Sequence, residues 1–192
     1  MKIDFSPNSK IKPVKGNVLL SEPFLNDPYF KRTVVLLCEH NHEGSFGFVL
    51  NNYIDVELDQ IMEEMPHFPT RISIGGPVRN SNLYYIHSLG EEIKESVEIM
   101  PGIYMGGDFD HLKKLLIAGK LEKENVRFFV GYSGWSADQL QSEIESNSWF
   151  VTNVEKDTVM NTDIEDLWKV IMKKQGRQGE MIANLPEDPS LN

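Results

Sequence analysis

The chain has 192 residues and a mass of 22.0 kDa, with 40% hydrophobic, 10% aromatic and 25% charged residues. These proportions suit a globular protein that folds without disulfides or a structural metal. Nineteen Lys and Arg against 29 Asp and Glu give a formal charge of −10, which repels phosphate backbones and anionic headgroups and argues against a dedicated nucleic-acid or membrane-surface binder.

The lone cysteine, Cys38, excludes an intrachain disulfide and suits a reducing compartment. The first residues hold no apolar stretch of the roughly 7–15 residues an export signal needs. No aliphatic run approaches the roughly 20 residues that cross a bilayer. The expected location is the cytoplasm.

Residues 1–15 are polar and basic, interrupted by Pro7 and Pro13, and read as an N-terminal arm; a single domain is expected over 16–192. Val18–Leu20 reads as a short strand. Thr33–Cys38 is apolar and β-branched enough for a strand buried on both faces. The turn-forming run Asn41-His42-Glu43-Gly44 then leads into Ser45–Leu50, which makes 33–50 a hairpin. Leu58, Ile61, Met62 and Met65 have helical spacing, and Pro66 helps to stop that helix.

Two strands each lead into a glycine turn, Arg71–Ile74 before Gly75-Gly76-Pro77 and Ile103–Met105 before Gly106-Gly107-Asp108. Asp108 is placed to cap a helix carrying Leu112, Leu115, Leu116 and Ile117, with Gly119 at its end. Val126–Val130 is the next strand. The segment Gly131-Tyr132-Ser133-Gly134-Trp135 reads as a third glycine turn, after which Ser136 and Gln139 make a capping-box pair for a helix carrying Leu140 and Ile144. Ser148–Val154 is a last strand and Ile164, Leu167, Trp168 and Ile171 a C-terminal helix, with Gln175–Asn192 expected to run extended.

Several segments together resemble one family: GNVLLSEPFLNDPYF (16–30), CEHNHEGSFGFVLN (38–51), GGPV (75–78), GIYMGGD (102–108), FVGYSGWSADQLQSE (129–143) and LPEDPSLN (185–192). Their order and content are similar to the YqgE/AlgH family of small bacterial proteins. The resemblance implies an α/β (α+β) fold, one compact domain with a mixed, partly barrel-like sheet flanked by helices. It implies no known reaction, and its association with transcriptional regulation meets no helix-turn-helix pattern here. The chain departs from the family at Phe46, where a small residue is usual before the second glycine.

The candidate chemistry is sparse. Gly131–Trp135 approaches the G-x-S-x-G hydrolase elbow, but position 135 is Trp and every histidine precedes Ser133. A milder reading lets the glycine turn and helix start, with Ser133 and Ser136, hold an anion, although Asp138 competes for the helix dipole. Cys38, His40 and His42 alternate on one face of an extended segment, with Glu39 on the other. Same-face neighbours about 6.5–7 Å apart are too wide for one metal. Gly75-Gly76-Pro77-Val78 lacks the lysine and spacing of a P-loop and suits close passage of another strand, with Pro77 ending ladder pairing. His87 and His111 have no partner fixed by spacing. Lys169, Lys173, Lys174 and Arg177 read as a solvated basic face.

The expectation is therefore a non-catalytic regulatory or binding protein for a small ligand or a protein partner, with no cofactor and no metal. Its binding surface would comprise Glu39, His40, Gly75, Gly76, Gly107, Asp108, Tyr132, Ser133, Gly134, Trp135 and Ser136. The alternatives are a small-molecule enzyme that brings Glu39, His40, Ser133 and Asp108 together, and a transcriptional regulator.

Overall fold

The computed structural model describes residues 11–25 and 27–186; most of the expected N-terminal arm and the end of the C-terminal tail lie outside them. The chain builds β1 (Val18–Ser21), β2 (Val34–Asn41), β3 (Gly44–Val49), β4 (Tyr53–Ile54), α1 (Leu58–Ile61), β5 (Ile72–Ile74), β6 (Val78–His87), β7 (Val97–Met100) and β8 (Ile103–Met105). It continues through α2 (Phe109–Ile117), β9 (Val126–Ser136), α3 (Gln139–Glu145), β10 (Trp149–Thr152), α4 (Lys156–Met160), α5 (Leu167–Lys173) and α6 (Gly176–Ala183).

The main path of the sheet is β10-β1-β2-β3-β9-β6-β8-β7, with β4 and β5 attached through β9. Among the described residues only the β5–β9 pair is parallel and the other pairs are antiparallel, so the sheet is mixed. The expected α/β class with a mixed sheet flanked by helices is what forms. The sheet stays open, with β10 and β7 at its ends.

Apolar residues on both faces of the strands place helices on both sides. Val18 and Leu20 of β1, with Leu36, Phe48 and Phe129, pack under Trp168, Ile171 and Ile182 of α5 and α6. Leu19, Val35 and Val49 point the other way, onto Trp135, Leu140 and Trp149. A third cluster joins α2 to Ile72, Tyr85 and Phe128. This double-sided burial explains why β1 and β2 read as continuous apolar runs.

Several expectations need correction. The Gly131–Trp135 segment is not a turn: β9 runs through it as an 11-residue strand, because β3 pairs with Gly134, Trp135 and Ser136 and holds them extended. Ser136 therefore ends a strand and caps no helix. The helix begins at Gln139 behind Asp138, whose φ is 62° and whose side chain makes no cap bond. Helix α1 is a single turn ending at Met62. Residues 176–183 form α6 instead of running extended, since Ile182 and Ala183 bury against α5. Gly179 lets the two helices touch, as a Cβ there would lie 2.2 Å from the Met172 carbonyl.

Candidate functional site

The glycines at 75, 76 and 131 mark a crossing of chains. Phe129 pairs with Ser73 of β5 and with Tyr84 of β6, so these two strands lie on opposite edges of β9. The connection between them, Gly75-Gly76-Pro77, must pass across β9. A Cβ on Gly75 would lie 2.3 Å from the Gly131 carbonyl, and one on Gly76 2.3 Å from the Tyr132 carbonyl and 2.4 Å from Ser133 Oγ. Ser133 is fully buried and donates to the Gly75 carbonyl at 2.9 Å. Its hydroxyl clamps the crossing and has none of the exposure of a hydrolase elbow, so that reading falls.

Beside the crossing lies a cleft of about 410 Å³, lined by Glu39, Asn41, Glu43, Gly44, Ser45, Phe46, Val78, Tyr132, Gly134 and Trp135. Strand register explains it. Glu39 stands opposite Phe46 and Phe46 opposite Gly134, so the three form one row across β2, β3 and β9. Tyr132, two residues from Gly134 and on the same face, stands opposite Val78 at the start of β6. The ring of Phe46 meets Tyr132 at 4.9 Å between centroids, and Tyr132 meets Tyr84 at 5.8 Å. The floor is aromatic, a notch opens where Gly134 has no side chain, and Glu39 and Glu43 are exposed at the rim.

The expected binding residues divide. Glu39, Tyr132, Gly134 and Trp135 line this cleft. Gly75, Gly76 and Ser133 form the crossing beside it. Ser136 lies at the end of β9, where its N–H donates to Gln139 Oε1 at 3.0 Å and its hydroxyl to the same oxygen at 3.2 Å. Gly107 and Asp108 lie near the opposite end of β9. There Tyr85, paired with Phe128, donates its hydroxyl to the Gly107 carbonyl at 2.9 Å. Asp108 caps α2 by accepting from the His111 N–H at 3.0 Å, as expected. The set Glu39, His40, Ser133 and Asp108 does not converge.

Cys38 and His40 do not share a face either. Cys38 follows Val34 and Leu36 into the core under α5 by alternation, but the bulge between Leu37 and Glu39 brings Glu39 to that same side and sends His40 to the other, where it pairs with Ser45. His40 Nδ1 lies 2.7 Å from Ser45 Oγ. Burial raises the Cys38 thiol pKa, which keeps it a packing group.

Trp135 shows how the cleft wall is anchored. Its indole N–H donates to Glu143 Oε2 at 2.9 Å, and Trp149 donates to the same oxygen at 2.7 Å. Gln139 Nε2 donates to the other carboxylate oxygen at 2.9 Å. Sequence reasoning missed Glu143, as well as Asn41, Glu43 and Val78 of the cleft. The available signal was the period-two pattern through Phe46, but it becomes a row only when the partner strands are known.

A family model described as AlgH-like matches residues 18–180. The chain belongs to the AlgH-like family. It is 41% identical to a UPF0301 protein of Cytophaga hutchinsonii, over 93% of this chain and 98% of that one. It is 39% identical to a UPF0301 protein of Bacteroides fragilis, over 96% and 94%. Among solved structures, protein DIP2367 of Corynebacterium diphtheriae superposes with a TM-score of 0.77 at 23% identity, covering 92% of this chain and 95% of that one. The solution structure of the AlgH protein from Pseudomonas aeruginosa gives 0.70 at 24%, covering 93% and 98%. These two likenesses establish the shared fold.

Proposed function

We propose that this AlgH-like protein is a regulatory binding protein with no catalytic step of its own, acting in the cytoplasm through the cleft between the β2–β3 hairpin and β9. The observation that supports this most is where the reactive side chains are spent. Ser133 holds the chain crossing, Asp108 caps α2 and His40 pairs with Ser45. The cleft offers shape, aromatic rings and two carboxylates, which are the means of recognition. Phe46 and Tyr132, 4.9 Å apart between ring centroids, form its floor, so ring contact shapes the ligand preference. The formal charge of −10 and the acidic rim disfavour direct contact with nucleic acid. Among the described residues no helix is long and apolar enough to cross a membrane.

The test compares native with denaturing mass spectrometry of untagged protein and of a Gly134→Val variant. The nearest neighbours of a Cβ at 134 are the Tyr132 ring edge at 3.3 Å and the Ser45 carbonyl at 3.9 Å, so the added side chain fills the notch. A bound mass present on the wild type and missing from the variant is expected. A mass retained by the variant would remove the cleft from the proposal. Turnover of a substrate that His40→Ala or Ser133→Ala abolishes would remove the non-catalytic reading.

A further inference from the structure

The free edge of β9 suggests what enters the cleft, and this inference rests on the cleft being the binding surface. Along one edge, β9 pairs with β3 from Ser133 to Ser136. Along the other it pairs with β6, whose first residue, Val78, stands opposite Tyr132. Pro77 cannot donate to a ladder, and Gly75-Gly76-Pro77 diverts the chain over β9, so β6 reaches no further. Beyond Tyr132 no strand among the described residues lies beside this edge.

The hydrogen-bonding direction follows from alternation in an antiparallel pair. The Ser136 N–H turns away from β3 to Gln139 Oε1, so Trp135 is the residue that exchanges bonds with Ser45. The Gly134 N–H and carbonyl and the Ser136 carbonyl then point to the open edge. Gly134 and Ser136 are exposed, and the cleft is the space beside them. A strand laid there would continue the course of β6. Its inward side chain would extend the row Glu39–Phe46–Gly134, beside Tyr132 and within reach of the carboxylates.

We infer that the cleft takes an extended, basic peptide segment of a partner protein, which adds as a short strand to the edge of β9 and places a Lys or Arg side chain over Phe46 and Tyr132 toward Glu39 and Glu43. Strand addition draws affinity from main-chain bonds and specificity from alternate side chains. The rim is acidic, and no described residue lining the cleft is basic, so a cation gains both the carboxylates and the aromatic faces. A second copy of this chain is a poor occupant, since each copy carries a formal charge of −10.

The experiment titrates the intact protein with six-residue peptides, acetylated and amidated at their ends, carrying Lys or Arg at alternate positions among Val and Thr. A matched set carries Glu instead. Basic peptides should bind at least about tenfold more tightly than acidic ones, and more weakly as salt rises. The exposed charge reversals Glu39→Lys and Glu43→Lys together should lower affinity by about tenfold while leaving the unfolding midpoint near wild type. In the wild type, hydrogen exchange of the Gly134 amide should slow on binding. Gly134→Pro, which removes that donor without taking a bond from β3, should abolish binding.

Equal binding of both peptide sets, or unchanged Gly134 exchange, overturns the inference. So does a free diamine that competes as well as the peptide, because a cation alone would then be recognised. Concentration-dependent dimerisation abolished by the charge reversals would name a second copy as the occupant and overturn it too. Failure of every peptide beside a bound mass lost in Gly134→Val would refute strand addition and leave the binding function standing. No peptide binding and no such mass would refute both.

Discussion

Glu143 carries more of the local structure than its exposed helix suggests. Its Oε2 accepts both indole N–H groups, from Trp135 and Trp149, and these rings lie edge to face at 5.8 Å. Glu143→Ala leaves two indole donors without their acceptor and should cost about 2–6 kcal/mol, at about 1–3 for each orphaned group. Glu143→Gln keeps an acceptor oxygen for both indoles and should cost under about 1.5 kcal/mol. Urea unfolding of the two variants tests this. Ser136→Ala, a helix-cap loss by sequence reasoning, should fall within about 0.5 kcal/mol of wild type, because the hydroxyl only supplements the N–H bond to Gln139.

His87 is the second residue with a measurable signature. It is fully buried, Nε2 lies 3.1 Å from the Gly106 carbonyl, and Nδ1 accepts from the Leu89 N–H at 3.3 Å. One ring nitrogen donates and the other accepts, which fixes the neutral form. Burial lowers the pKa below its ordinary 6.5, opposed by the bond to Gly106. Below pH 6.5 the unfolded chain therefore binds a proton that the native protein refuses. Stability falls as pH drops from about 6.5 toward the lowered native value, and levels off below it. The melting temperature of the wild type should show this decline, and a His87→Gln variant should show less of it.

At the scale of elements, the crossing of Gly75–Pro77 over β9 decides the topology. Gly76→Ala drives a Cβ into the Tyr132 carbonyl and Ser133 Oγ, at a backbone φ of 151°. It should cost over about 3 kcal/mol, read by thermal unfolding, because the Tyr132 backbone, held in β9, cannot give way. Strands β1, β2, β3, β5, β8 and β10 were legible, since their apolar runs and turns are local signals. Strands β6 and β7 were not. β6 is interrupted by a bulge between Val78 and Leu83, and β7 exposes Val97 and Glu98 at the sheet edge, so neither shows a clean period. The Gly131–Trp135 strand was misread because glycines beside a helix usually mean a turn. Here they mean close passage of another chain.

At the scale of the molecule, Arg127 ties the layers together. It is fully buried on β9 and donates to the carbonyls of Val159 in α4 and Leu50 after β3, with the Tyr53 hydroxyl at 3.4 Å and Ser73 Oγ at 3.5 Å. Among its described partners are carbonyls and hydroxyls but no carboxylate, and desolvation lowers its pKa. Arg127→Ala should cost more than about 3 kcal/mol in denaturant unfolding, through a large cavity and orphaned carbonyls. Arg127→Lys should recover only part of the loss, since an ammonium lacks the planar fork that spans both carbonyls.

The amino-acid sequence by itself determined the fold class, the family, the Asp108 cap and most of the strands, because these depend on composition, short-range periodicity and motif order along one chain. It also pointed to Glu39, Tyr132, Gly134 and Trp135. The tertiary structure alone decided that Ser133 is buried under a crossing chain, that Gly107 and Asp108 belong to the other end of β9, and that Cys38 and His40 face apart. It alone placed Glu39, Phe46 and Gly134 in one row beside an unpaired edge. Strand register and chain crossings join residues tens of positions apart, and no local pattern encodes which strand will lie beside which.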